Sequence, residues 1–106
     1  MLKRGRGKPS NLEEVVDILK EHRSILVDKY GIVEIAVFGS YVRNEQKHGS
    51  DIDIVVQLKR ETKTLDNFIG LKSYLQKKLR AKVDIVLRDG LKETLKKYIL
   101  QEAVYV

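Results

Sequence analysis

Residues 37–56 read VFGSYVRNEQKHGSDIDIVV, and this stretch decides the fold. Its second half, Ile52, Ile54, Val55 and Val56, is the apolar run of a buried β-strand, yet Asp51 and Asp53 interrupt it. Aspartate is poorly suited to strands, and an ionised carboxylate beside a core is costly unless something pairs with it. Side chains at i and i+2 of a strand share a face, so Asp51 and Asp53 point one way while Ile52 and Ile54 point the other, toward a core. The first half predicts a strand ending at Phe38, a turn at Gly39-Ser40 and one or two helical turns over SYVRNE, followed by a loop, QKHGS.

Working outward, the order of elements follows from periodicity. Ser10 and Glu13 have capping-box spacing, and Leu12, Val15, Val16, Leu19, Arg23 and Leu26 recur at helical spacing. They predict a helix over 11–29, ended by Gly31. Residues 33–38 and 51–58 are strands, and KRETK is a polar connection. Thr64 caps a helix carrying Leu65, Phe68, Ile69, Leu75 and Leu79, and KVDIVLR, residues 82–88, is a third strand. Asp89 and Gly90 open a last helix with Leu91, Leu95, Tyr98 and Ile99, and the closing EAVYV is compatible with an extended end. The order αβαβαβα predicts an α+β domain: a small mixed sheet of three strands flanked by helices.

The third strand carries Asp84 where the second carries its pair. If the two strands are neighbours, three carboxylates converge on one patch, and like charges so close repel unless a cation sits among them. With no cysteine, and with His22 and His48 far apart, a metal here is held by carboxylates, which favours Mg²⁺ or Mn²⁺ over Zn²⁺. Two such ions would clamp the attacking and leaving oxygens of a phosphoryl or nucleotidyl displacement. Gly39-Ser40 leaves a strand and enters a helical turn, a geometry whose outward N–H groups bind phosphate. Each Asp alone is as readily a strand-end or ion-pair residue; the strand, Gly-Ser turn, D-x-D and third Asp together are specific.

Taken together, Gly39, Ser40, Arg43, Glu45, Ser50, Asp51, Asp53 and Asp84, in GSYVRNE…SDIDIVV…VDIVL, resemble the minimal nucleotidyltransferases of the DNA polymerase β superfamily, the MNT antitoxins of HEPN-domain toxins. The likeness runs from about residue 12 to the closing YILQEAVYV. It implies Mg²⁺-dependent transfer of AMP from ATP to a hydroxyl, with a tyrosine of a partner HEPN toxin as the expected acceptor. On that pattern Ser40 and the backbone after Gly39 would hold the terminal phosphates. Asp51 and Asp53 would ligate Mg²⁺, and Asp84 would ligate a second ion or help deprotonate the acceptor. Ser50 would orient Asp51 or the local turn. Arg43 would bind phosphate, or instead pair with Glu45 or an aspartate. Asn44 stands where the pattern usually has Gly, and Asn tolerates the left-handed conformation that Gly supplies.

Length and charge bound the alternatives. A chain of 106 residues fits one domain, and 34% charged residues describe a heavily charged surface. No apolar run approaches a membrane span, so the expected location is the cytoplasm. Of the net charge of +6, Lys3, Arg4, Arg6 and Lys8 supply +4 within MLKRGRGKPS. Residues 1–10 thus read as a basic flexible tail, with the nucleotidyltransferase domain over 11–106. Such a tail is either a solvated terminus or an arm for nucleic acid. The basic run Lys77, Lys78, Arg80 and Lys82 reads first as a solvated helix end, and His48 as an exposed loop residue. Three functions compete: a protein adenylyltransferase antitoxin, an antitoxin that neutralises by binding alone through apolar positions on the first or last helix, and, ranked last, a small nucleotidyltransferase acting on RNA. So short a chain has no separate acceptor-recognition lobe, so a partner protein or a homo-oligomer would supply it. It is also too short for the nucleotide-sugar fold of D-x-D glycosyltransferases.

Overall fold

The structure, a computed structural model, describes residues 7–106. Four strands form one mixed sheet in the order β3-β2-β1-β4. Strand β1 (Ile32–Phe38) runs antiparallel to β2 (Ile52–Leu58), and β2 runs parallel to β3 (Val83–Leu87). A parallel neighbour needs a crossover, and α3 (Leu65–Leu79) provides it. The chain end contributes β4 (Val104–Tyr105), which pairs with Val37 and Ala36 of β1. The α+β class and element order therefore stand, and the sheet gains a short fourth strand beyond the three expected.

Alternation along β2 sorts its side chains. Ile52, Ile54, Val56 and Leu58 are buried on one face with Ile35, Val37, Val83 and Ile85. Val15 and Leu19 of α1 (Leu12–Glu21), and Leu71, Leu75 and Leu79 of α3, cover that face. Each such side chain contributes about 1.5–3 kcal/mol by leaving water. Asp53, Val55, Asp84 and Val86 are on the opposite face. There α4 (Glu93–Glu102) covers only the middle, where Ile99 packs with Ala36 and Val55, and the two aspartates stay outside its cover.

Several local expectations shift. The predicted helix over 11–29 is two helices, α1 and α2 (Arg23–Asp28), broken at His22, whose N–H reaches both Ile18 and Leu19 carbonyls at 3.3 and 3.2 Å. The N-cap is Asn11 rather than Ser10: Asn11 Oδ1 accepts the Glu14 N–H, and Glu14 in turn accepts the Ser10 N–H. Thr64 caps α3 as expected. Arg88–Gly90 form only a single 3₁₀ turn, and α4 begins at Glu93. Gly31 has φ +72°, and a Cβ there would strike Thr62.

Most of the predicted basic tail lies outside the described residues. Within them, Pro9 is buried, its carbonyl accepts the Tyr41 hydroxyl at 3.2 Å, and Lys8 donates to the Ser50 carbonyl at 3.0 Å. Among the described residues no helix is long and apolar enough to cross a membrane.

Candidate active site

Two facing registers build the site. In the parallel pair, Asp53 stands opposite Asp84, and in the antiparallel pair Phe38 stands opposite Asp53. Gly39, the next residue, therefore lies against the Asp53 carboxylate. Its φ of +80° is one that L side chains rarely adopt, and a Cβ would land on Asp53 Oδ2. The Gly39–Tyr41 segment forms a 3₁₀ turn, and the Ser40 backbone N–H donates to the Asp53 carboxylate. The Ser40 hydroxyl makes no hydrogen bond among the described residues, which leaves its donor for a ligand. Asn44 has φ +57°, the left-handed conformation expected of it.

Asp51 ends the loop just before β2, and it and Asp84 are exposed while Asp53 is half-buried. Burial, then the charges of Asp84 and Asp51, push the Asp53 carboxyl above its usual pKa, against the opposing pull of Arg43 and the Ser40 N–H. The charges of Asp84 and Asp51 thus bear on Asp53 from one patch and disfavour its ionised form. They do not form a closed cage: among the described residues, no three His, Cys, Asp or Glu side chains gather tightly enough to hold one ion. That fits Mg²⁺, which takes one or two carboxylates and fills its octahedron with water and substrate phosphate. It does not fit a structural Zn²⁺ site, which would be closed by protein ligands.

The other residues named from sequence divide. Ser50 is committed to its loop, its hydroxyl accepting the Lys47 N–H at 2.8 Å. Arg43 is paired, not with an aspartate, but with Glu45 at 2.9 Å and with Glu102 at 2.9 and 3.1 Å. His48 lines a cleft of about 290 Å³ with Lys8, Ser10, Tyr41, Gln46 and Lys47, on the loop that joins the Gly-Ser turn to Asp51. Sequence reasoning missed Glu102, whose carboxylate also accepts the Gly39 N–H at 2.8 Å. The available signal was an acid at the end of a helix, against the dipole.

Known proteins share the sequence pattern and the fold of this chain. Residues 19–106 match the nucleotidyltransferase domain family. The protein adenylyltransferase MntA of Thermococcus cleftensis is 45% identical over 95 residues, covering 90% of this chain and 95% of that protein. A solved structure provisionally assigned as a minimal nucleotidyltransferase superposes with a TM-score of 0.79 at 34% identity, covering 92% of this chain and 98% of that one. The fold recurs in a complex of the tri-AMPylated HEPN toxin of Shewanella oneidensis with an MNT antitoxin, with a TM-score of 0.56 at 20% identity, covering 88% of this chain and 66% of that one.

Proposed function

The chain belongs to the nucleotidyltransferase domain family, and from that premise we propose that it is a protein adenylyltransferase that moves AMP from ATP to a hydroxyl of a partner protein. The observation that carries this reading is the register of Asp53 with Asp84, beside a Gly-Ser turn that only glycine permits. The adenylyltransferase name of a relative 45% identical supports AMP as the transferred group.

In this reading the Ser40 hydroxyl and the turn hold the terminal phosphates of ATP, and Asp51 and Asp53 hold Mg²⁺. When bound, that ion offsets the charge of the triphosphate and of the two carboxylates. Asp84 is exposed, adjacent and uncommitted, so its carboxylate accepts the proton of the incoming hydroxyl. The hydroxyl oxygen bonds to the α-phosphorus, the α–β bridging P–O bond breaks, and pyrophosphate leaves. Ser50 shapes the loop and takes no part in bond making. The acceptor is a tyrosine of a HEPN-domain toxin, and modification silences the toxin. The fold shared with an antitoxin bound to an AMPylated HEPN toxin supports that partner. Among the described residues the site has no second lobe to bind the acceptor, and Leu95 and Tyr98 of α4 are exposed apolar residues available to a partner.

The test is incubation with Mg²⁺, a HEPN partner and ATP labelled at the α- or the γ-phosphate. Label passing to the partner from the α position, and lost in Asp53→Asn, is the expected result. Label from the γ position alone would make the protein a kinase. A stable complex without label from either position would leave an antitoxin that acts by binding.

A further inference from the structure

The end of the chain reaches into the site. Val104 and Tyr105 pair with Val37 and Ala36, and the same antiparallel register carried two residues further sets Glu102 opposite Gly39. The Val106 N–H donates to the Ile35 carbonyl at 3.0 Å, and Arg23 donates to the Val106 carbonyl at 2.7 Å. The last three residues are therefore strapped along β1, and α4 ends just before them, beside the turn. At that helix end Glu102 accepts the Gly39 N–H at 2.8 Å and binds Arg43 Nη1 through both oxygens.

This placement runs against local preference. Glu102 is the last residue of α4, where the helix dipole is negative and acids are disfavoured, and no basic residue occupies that last turn. Among the described residues its charge is met from outside the helix, by the turn's N–H and the guanidinium. The Glu102 side chain is 29% exposed and that of Arg43 48%, so the pair sits at the mouth of the site rather than in the core. A local rule broken at such a place marks a functional constraint.

We infer that Glu102 is a positioning residue for nucleotide binding: it fixes the Gly39–Tyr41 turn and aims the Arg43 guanidinium, and so sets where the nucleotide's phosphates are held. The inference rests on the nucleotidyl-transfer reading, which supplies the phosphates. Its mechanism is geometric. With Nη1 and Nε of Arg43 held by Glu102 and Glu45, the guanidinium is fixed at two separate nitrogens by two acids. Without Glu102 the turn loses the hydrogen bond to its first N–H, and Arg43 keeps only its Glu45 contact of the two and can swing about it.

The test is equilibrium binding of Mg²⁺-ATP, with KM and kcat alongside, in Glu102→Ala, Glu102→Gln, Glu102→Asp and Arg43→Ala. Glu102→Ala should weaken ATP binding about tenfold, as loss of an orienting partner does elsewhere. Glu102→Gln, which keeps the acceptor for Gly39 but not the charge for Arg43, should fall between it and the unaltered protein, and Glu102→Asp should restore part of the loss. Arg43→Ala combined with Glu102→Ala should cost less than the two separately, since both act through one guanidinium. Lys63→Ala, which breaks the distant ion pair with Asp89, should change neither constant. Lower thermal stability with unchanged ATP affinity would show a merely structural role, and tighter ATP binding would show a carboxylate that competes with phosphate; either overturns the inference. Binding is read without turnover, so a protein that binds ATP as described but transfers no label would sink the functional reading and leave the role of Glu102 standing.

Discussion

Asp53 of β2 and Asp84 of β3 face each other in register across the parallel pair, on the side of the sheet that α4 leaves uncovered at its end. Asp53→Asn keeps the shape and removes the charge. If these carboxylates serve nucleotidyl transfer, the variant should lose at least about 100-fold in rate, the scale of losing several kcal/mol of charge stabilisation at a metal-dependent centre. Its circular dichroism and its partner complex should be unchanged. Transfer at the unaltered rate would remove Asp53 from the chemistry.

The same charge makes a stability prediction with a definite sign. Burial, Asp84 and Asp51 raise the Asp53 carboxyl above its ordinary value of 3.8, so the folded state holds this proton more tightly than the unfolded state. The contribution is full below the unfolded pKa and is lost as pH rises through the folded one. In chelator, melting temperature measured across pH 3 to 7 should therefore fall for the unaltered protein relative to Asp53→Asn. Asp89, held low by its hydrogen bond and charge contact with Lys63, gives the opposite slope, and it cancels in the difference between the two proteins. Added Mg²⁺ should raise the melting temperature of the unaltered protein above pH 6 and leave Asp53→Asn nearly unmoved. A stability difference that grew with pH in favour of the unaltered protein in chelator would contradict the assigned cause.

Gly39→Ala tests the turn. The new Cβ meets the Asp53 carboxylate and the backbone is at φ +80°, so both sterics and conformation oppose it. A loss of about 1–3 kcal/mol in urea unfolding is expected, with ATP binding abolished. Gly49, at φ +92° in open space, should lose less on the same change, because only the conformational cost applies.

The strands and the three aspartates were legible in the sequence because β2 and β3 are short runs of Ile, Val and Leu, and a carboxylate inside such a run is conspicuous. What escaped was set by contacts distant in sequence. Strand β4 has two residues and exists only because β1 offers it an edge. The break at His22 is invisible in a periodicity that continues through it, and its ring is held by the Tyr74 hydroxyl, 3.0 Å from Nδ1 and 52 positions away. Ser10 and Asn11 are near-equal caps one residue apart, and position in the fold chose between them. Glu102 read as part of an extended end, EAVYV, whereas it closes α4 and its side chain reaches the Gly39 N–H.

The N-terminal segment gives the last prediction. Lys8 and Pro9 are bonded to Ser50 and Tyr41, on either side of the loop that leads to Asp51. Tyr41→Phe removes the hydroxyl that the Pro9 carbonyl accepts and should cost about 1 kcal/mol of stability. Deleting residues 1–6 removes Lys3, Arg4 and Arg6 but spares both contacts. If the acceptor is a protein hydroxyl, the truncated chain should label its partner at the original rate at both 50 and 200 mM salt. If the acceptor is RNA, removing three cations should weaken its binding and flatten the salt dependence by about two units of logarithmic slope, at roughly 0.7 per phosphate contact. Loss of labelling in the truncated chain at low salt only, with RNA present, would move the acceptor from protein to nucleic acid.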